Sequence, residues 1–314
     1  MSLLIHIGYH KTGTNWLQRR FFSDPSTGYR WLGKRPGSHP VRRFVRDRPF
    51  EFEPDAVRAA LRPLIAEAEE AGLLPVLSLE RLSGSALSGG YDSVRIADRL
   101  HQVFPEGRIL VVVREQRSMV VSTYKGYVQQ GGAAPLEHFL EGRRSATFRV
   151  PGFDPAYFEY DGLIGHYRGL FGPDNVLALA FDQFVEDGRG FVDRIASFAG
   201  RRVPAGVLDT LPYGHRENVR TTSALTLSLV RRVNQLAPPT DVNPAPLLES
   251  RGAARLADRL VRRDPLRRRS VGADERLRRA VDEWAGDRFA ASNARLSVLL
   301  GVDLDRYGWS ARPS

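Results

Sequence analysis

The apolar positions of this chain fall into two periods. Residues 3–7, 75–79, 108–113 and 176–181 are short apolar runs of strand length, the third reading ILVVV after Arg108. Between them lie segments whose apolar residues recur every three or four positions. These are 14–22; 55–71, with Val57, Leu61, Leu64, Ile65 and Ala68 on one stripe; 92–104, with Val94, Ala97, Leu100, Val103 and Phe104; then 117–130, 155–171 and 182–199. The longer period predicts helices, and the continuous runs predict strands buried on both faces. Stop signals agree: Ser23-Asp24-Pro25 follows the first helix, Gly72 the second and Gly131-Gly132 the fourth. Strands alternating with helices predict an α/β fold, a three-layer parallel sheet flanked by helices. Residues 26–54, rich in Gly, Pro and Arg, read as irregular surface. Beyond Gly200 the pattern turns polar and helical, with loops at 211–222 and 237–246. One domain over 1–314 is expected, with an α/β core to residue 200 and a mostly helical part over 201–314.

Charge narrows the partners. The 46 Lys+Arg exceed the 36 Asp+Glu, for a formal net charge of +10, which favours anionic ligands. Only Lys11, Lys34 and Lys125 are lysines, so the excess is one of arginine. Residues 251–279 hold eleven arginines against four acids, with Leu256, Leu260 and Val261 at the spacing of an amphipathic helix. Such a segment is a solvated face or a dock for an anionic acceptor or membrane surface. No interleaved aromatic stripe or nucleic-acid motif accompanies it, so no specific nucleic acid is expected as partner. With no cysteine, disulfides and thiolate metal sites are excluded, and the seven histidines show no ligand spacing. No apolar run approaches the roughly 20 residues of a membrane span, and no leader pattern opens the chain, so a soluble, cytoplasmic protein is expected. Nothing in the sequence fixes an oligomeric state.

The stretch HIGYHKTGTNW, residues 6–16, carries the candidate chemistry. A strand, a Gly/Thr turn and a helix start make an anion cradle, because the first N–H groups of a helix lack partners and carry the positive end of its dipole. In a nucleotide-triphosphate loop, G-x-x-x-x-G-K-[ST], the lysine follows the second glycine. Here Lys11 precedes Gly13. A metal-dependent kinase also wants an acid at a neighbouring strand tip for Mg²⁺, whereas ILVVV ends in Arg114.

Lys11-Thr12-Gly13-Thr14-Asn15-Trp16 resembles the loop of sulfotransferases that use 3′-phosphoadenosine 5′-phosphosulfate (PAPS). In that family the loop binds the 5′-phosphosulfate. Asn15 departs from the usual second hydroxyl residue, but its amide also donates to anions. Arg114 and Ser122, eight apart, are similar to the family's pair that holds the 3′-phosphate. The segments VLALAFDQFVED and IASFAG resemble the strand, turn and helix that follow, so the likeness covers roughly 3–200. Later, His215-Arg216-Glu217-Asn218 is similar to a loop over the cofactor, which implies that Arg216 and Asn218 bind it.

The resemblance implies transfer of a sulfuryl group to a hydroxyl with 3′-phosphoadenosine 5′-phosphate (PAP) as product and no metal. Such transfer needs a base for the hydroxyl and positive charge at the leaving oxygen. Lys11 supplies the charge. Glu80, ending the run 75–79 in SLERLSG, is expected at the C-terminal edge of the sheet and to act as base. A glutamate there resembles the glycan-acting branch, which points to a small-molecule, glycan, lipid-linked or natural-product hydroxyl as acceptor. His10 is a spare candidate, Arg81 a further source of charge, and His101 a helix-surface residue. The competing readings are a P-loop kinase using ATP and Mg²⁺ and an arginine-rich nucleic-acid-binding protein.

Overall fold

The structure, a computed structural model, describes residues 3–33, 40–142, 152–214 and 222–310. Five parallel strands form one sheet: β1 (Leu4–His6), β2 (Tyr29–Trp31), β3 (Leu74–Ser78), β4 (Arg108–Val113) and β5 (Val176–Ala180), in the order β2-β3-β1-β4-β5. β1 pairs with β3 through Leu4↔Val76 and His6↔Ser78, and with β4 through Leu4↔Arg108 and His6↔Leu110. The chain therefore leaves β1 towards one edge, returns, and crosses to the other side at β4. That reversal opens a crevice at the C-terminal tips of β3, β1 and β4, where ligands bind in open α/β sheets.

The continuous apolar runs are explained by the two faces they fill. Alternate residues of a strand point to opposite sides. Ile5, Ile109, Val111 and Val113 join one buried cluster, whereas Leu4, Leu110, Val112 and Leu179 join a second on the other face. The first is the larger and takes in Val281, Leu296 and Trp309 from beyond residue 200. The second is closed by Trp16, Phe21, Phe22 and the helix Gly188–Phe198.

Most expected elements stand. Helices occupy Pro54–Glu70, Ser93–Val103, Gln116–Gln129 and Tyr160–Phe171. Beyond residue 200, Ala224–Asn234, Arg251–Arg263, Val271–Ala285 and Ala290–Leu300 are helical. Three departures have physical causes. β2 lies inside the stretch read as irregular surface. It is an edge strand of three residues, paired only with β3 from Tyr29↔Leu74 to Trp31↔Val76, too short for a periodic pattern. The helix read over 182–199 is two, Phe181–Glu186 and Gly188–Phe198, because the Asp187 carboxylate accepts from the Gly190 N–H at 2.8 Å and starts a new helix. In the arginine-rich segment Ala257, not Leu256, is the buried residue of its helix, and Leu256 remains 45% exposed. Among the described residues, no helix is long and apolar enough to cross a membrane.

Candidate active site

The loop after β1 is shaped by its small residues. Gly8, at φ 98, lies with its Cα hydrogens against the Glu80 backbone, where an added Cβ would meet the Glu80 Cα at 3.1 Å. Gly13, at φ 80, presses on the Phe181 ring, which an added Cβ would meet at 2.9 Å. Glycine is required at both, by conformation and by space. Between them Lys11 adopts φ 62 and its side chain is exposed. The hydroxyls of Thr12 and Thr14 are buried and both donate to the Tyr9 carbonyl, at 2.6 and 3.1 Å. They hold the turn closed.

The first helical bond runs from the Leu17 N–H to the Gly13 carbonyl at 3.0 Å. The N–H groups of Thr14, Asn15 and Trp16 precede it and form the positive end of the helix. That helix starts as α over Thr14–Trp16 and widens to a π turn over Leu17–Phe21. The Trp16 ring is only 2% exposed: it stacks on Tyr213, packs against Phe184 and donates its Nε1–H to the Pro212 carbonyl at 3.0 Å. Trp16 can therefore offer an anion its backbone N–H, while its ring anchors the helix.

Three strand tips meet around this loop. Arg114, just after β4, donates from Nη1 to the Lys11 carbonyl at 3.3 Å and lies over the Phe181 ring, 5.5 Å from its centre. Its own carbonyl accepts from the Tyr160 hydroxyl at 2.8 Å. The next residue, Glu115, is committed elsewhere, its carboxylate capping the helix Gln116–Gln129 through the N–H groups of Arg117 and Ser118, both at 2.8 Å. Ser122 sits half-buried on that helix, six residues from its start. Arg216 and Asn218 lie outside the described residues.

Glu80 opens the turn Glu80–Ser83 after β3. Its carboxylate accepts from His10 Nδ1 at 3.1 Å, a pairing that sequence reading did not reach although it had marked both residues. Only the return of β3 beside β1 brings positions seventy apart into contact. Burial pushes the Glu80 carboxyl up, but the hydrogen bond and charge of His10, with Lys11 and His6 behind, outweigh it and hold the carboxyl below its ordinary value. The turn itself is fixed from beneath. Ser83 donates to the Glu80 carbonyl at 3.0 Å and shares a hydrogen bond of 3.0 Å with the Tyr157 hydroxyl. Arg81 is turned away from the loop into an ion pair of 2.6 Å with Asp92, which is buried. His101 lies edge-on against Phe171, at the far end of its helix.

The floor of the loop is braced from the end of the described chain. Asp182, next to Phe181, accepts from the Trp309 indole N–H at 3.1 Å, and Glu186 is bound by Arg306 and Tyr307. The assembled groups are a cation and helix N–H groups on β1's loop, a guanidinium from β4 and a carboxylate–imidazole pair between β1 and β3. Such a set can bind an anionic donor and remove a proton from a neighbouring hydroxyl.

A model described as the Sulfotransferase family matches residues 92–205, which include Arg114 and Ser122 but neither Lys11 nor Glu80. A crystal structure of a sulfotransferase from Alicyclobacillus acidocaldarius is similar over 98% of each chain, with TM-score 0.54 and 15% identity. A mouse sulfotransferase, SULT7A1 complexed with PAP, aligns over 90% of this chain and 88% of its own, with TM-score 0.36 and 15% identity. Among curated proteins, none matches the sequence.

Proposed function

We propose that this chain, whose residues 92–205 match the Sulfotransferase family model, transfers a sulfuryl group from PAPS to the hydroxyl of a carbohydrate, lipid or natural-product acceptor. The observation that carries the reading is the convergence of Lys11, the Arg114 guanidinium and the Glu80–His10 pair at adjacent strand tips. The N–H groups of Thr14, Asn15 and Trp16, with Lys11, Thr12 and Gly13 of the loop, take the 5′-phosphosulfate. Arg114 and Ser122 take the 3′-phosphate. The acceptor oxygen attacks sulfur in line, Lys11 balances charge on the departing phosphate oxygen, and loss of the hydroxyl proton depends on Glu80. In this reading Arg216 and Asn218, outside the described residues, also bind the nucleotide. A glutamate at the tip of β3 supports the glycan-type branch.

Glu115 is the first acid after β4 in the sequence, and its capping role leaves it a poor Mg²⁺ support for the kinase alternative. Thermal shift separates the two readings. PAP at a hundred times its Kd should stabilise the protein by about 2.7 kcal/mol, without Mg²⁺ and more than ATP does. Preference for ATP with Mg²⁺ would overturn the assignment. Labelled PAPS incubated with a host extract then identifies the acceptor by the product that carries the label.

A further inference from the structure

We propose that the proton acceptor of this site is the Nε2 atom of His10, with Glu80 as the positioning residue that orients it; the inference rests on the sulfotransferase reading and names the atom it leaves open. The geometry is directional. His10 Nδ1 faces the Glu80 carboxylate at 3.1 Å, and a carboxylate can only accept, so that nitrogen carries the hydrogen. In the neutral ring the lone pair is then on Nε2. The His10 side chain is 36% exposed, so Nε2 can meet an acceptor from solvent. His10 immediately precedes Lys11 in the loop, and both act electrostatically on the same Glu80 carboxylate, so the imidazole and the cation that would receive the charge of the leaving group border one carboxylate.

The same contact makes Glu80 the poorer base of the two. A carboxylate that already accepts from an imidazole N–H, with Lys11 nearby, has less tendency to take another proton. Neutral imidazole is in general the stronger base of the two groups by about two pKa units. The charged and titratable groups that share this corner with the His10–Glu80 pair are Lys11 on the same loop, His6 on β1 and Arg114, which reaches the Lys11 carbonyl from β4. Among these groups Glu80 is the anion, and it holds the Nδ1 side of the ring.

Atoms and charge balance as follows. The acceptor O–H proton passes to His10 Nε2, the acceptor oxygen bonds to sulfur, and the bond from sulfur to the 5′-phosphate oxygen breaks with its electron pair leaving on PAP. The hydrogen on Nδ1 stays on that nitrogen, donated to the Glu80 carboxylate throughout, and the imidazolium later returns its extra proton to water.

Two measurements test this on the full chain. The first is release of labelled sulfate from labelled PAPS with water as the acceptor, alongside PAP affinity by calorimetry. His10→Ala should lower release about a hundredfold or more and abolish the pH-dependent limb of the wild-type profile, with PAP affinity kept within about threefold. Glu80→Gln still accepts from Nδ1–H and should retain about tenfold more release than His10→Ala. The second, independent of turnover, is ¹⁵N-histidine NMR: the neutral His10 ring, assigned by its loss in His10→Ala, should be the Nδ1–H tautomer. An Nε2–H tautomer, or near-normal release by His10→Ala with Glu80→Gln dead, would overturn the proposal and return the base to Glu80. A wild-type protein that neither binds PAP nor releases sulfate would instead overturn the sulfotransferase reading itself.

Discussion

Lys11 holds its backbone at φ 62, a left-handed conformation that disfavours a side chain by about 1–2 kcal/mol. Strain at a residue that also supplies the cation of the loop sets stability and binding against each other. Lys11→Gly should therefore melt no lower than wild type, and by chemical denaturation be up to about 1 kcal/mol more stable, while PAP affinity falls at least tenfold. A fall in both would place the role of Lys11 in holding the fold. At this scale the candidate residues could be picked out of the sequence. Lys11 was marked by its early place in the loop, and Arg114 and Glu80 by ending apolar runs. What was illegible was direction: the Thr12 and Thr14 hydroxyls face the Tyr9 carbonyl and Arg81 faces Asp92. Spacing along a chain does not encode which way a side chain turns when a buried partner competes with a ligand for it.

Among the elements, the turn Glu80–Ser83 is held by contacts outside itself. Arg81 and Asp92 join it to the start of the helix Ser93–Val103, and Asp92 is 1% exposed while Arg81 is 31% exposed. Removing one partner of a fully buried pair costs about 3–5 kcal/mol; because Arg81 retains water, Asp92→Ala should cost about 2 kcal/mol. The checking measurement is urea unfolding, with turnover compared at a temperature where both proteins are folded. Turnover that falls further than the folded fraction would show that the pair aligns Glu80 as well as stabilising its turn. Helices with a long apolar stripe, such as Pro54–Glu70, could be read in advance because their period repeats over several turns. β2 could not, since three residues of Tyr-Arg-Trp hold no period and its strand identity comes from pairing with β3. The break at Asp187 was equally hidden, being a side-chain cap set in an otherwise continuous helical pattern.

For the molecule as a whole, His6 contributes to how stability responds to acid. It lies fully buried on β1, hydrogen-bonded through Nδ1 to Ser78 at 2.8 Å, and burial lowers its pKa to about 4, with the charge of Glu80 pulling the other way. Between about pH 6.5 and 4 the unfolded chain binds a proton here that the folded chain refuses, so stability falls as pH falls through that window. The loss by pH 4 should be on the order of 3 kcal/mol, and His6→Gln should flatten that part of the stability–pH curve. The parallel sheet and helical layers were legible from the whole pattern of apolar runs. The link from residues 304–309 to the loop after β1 was not, because it joins distant parts of the chain. Trp309 holds Asp182, and the neighbouring Phe181 ring supports both Gly13 and Arg114. A truncation or bulky fusion that disturbs Trp309 would thus remove a strut from beneath the anion loop, so tags for assays belong at the other terminus.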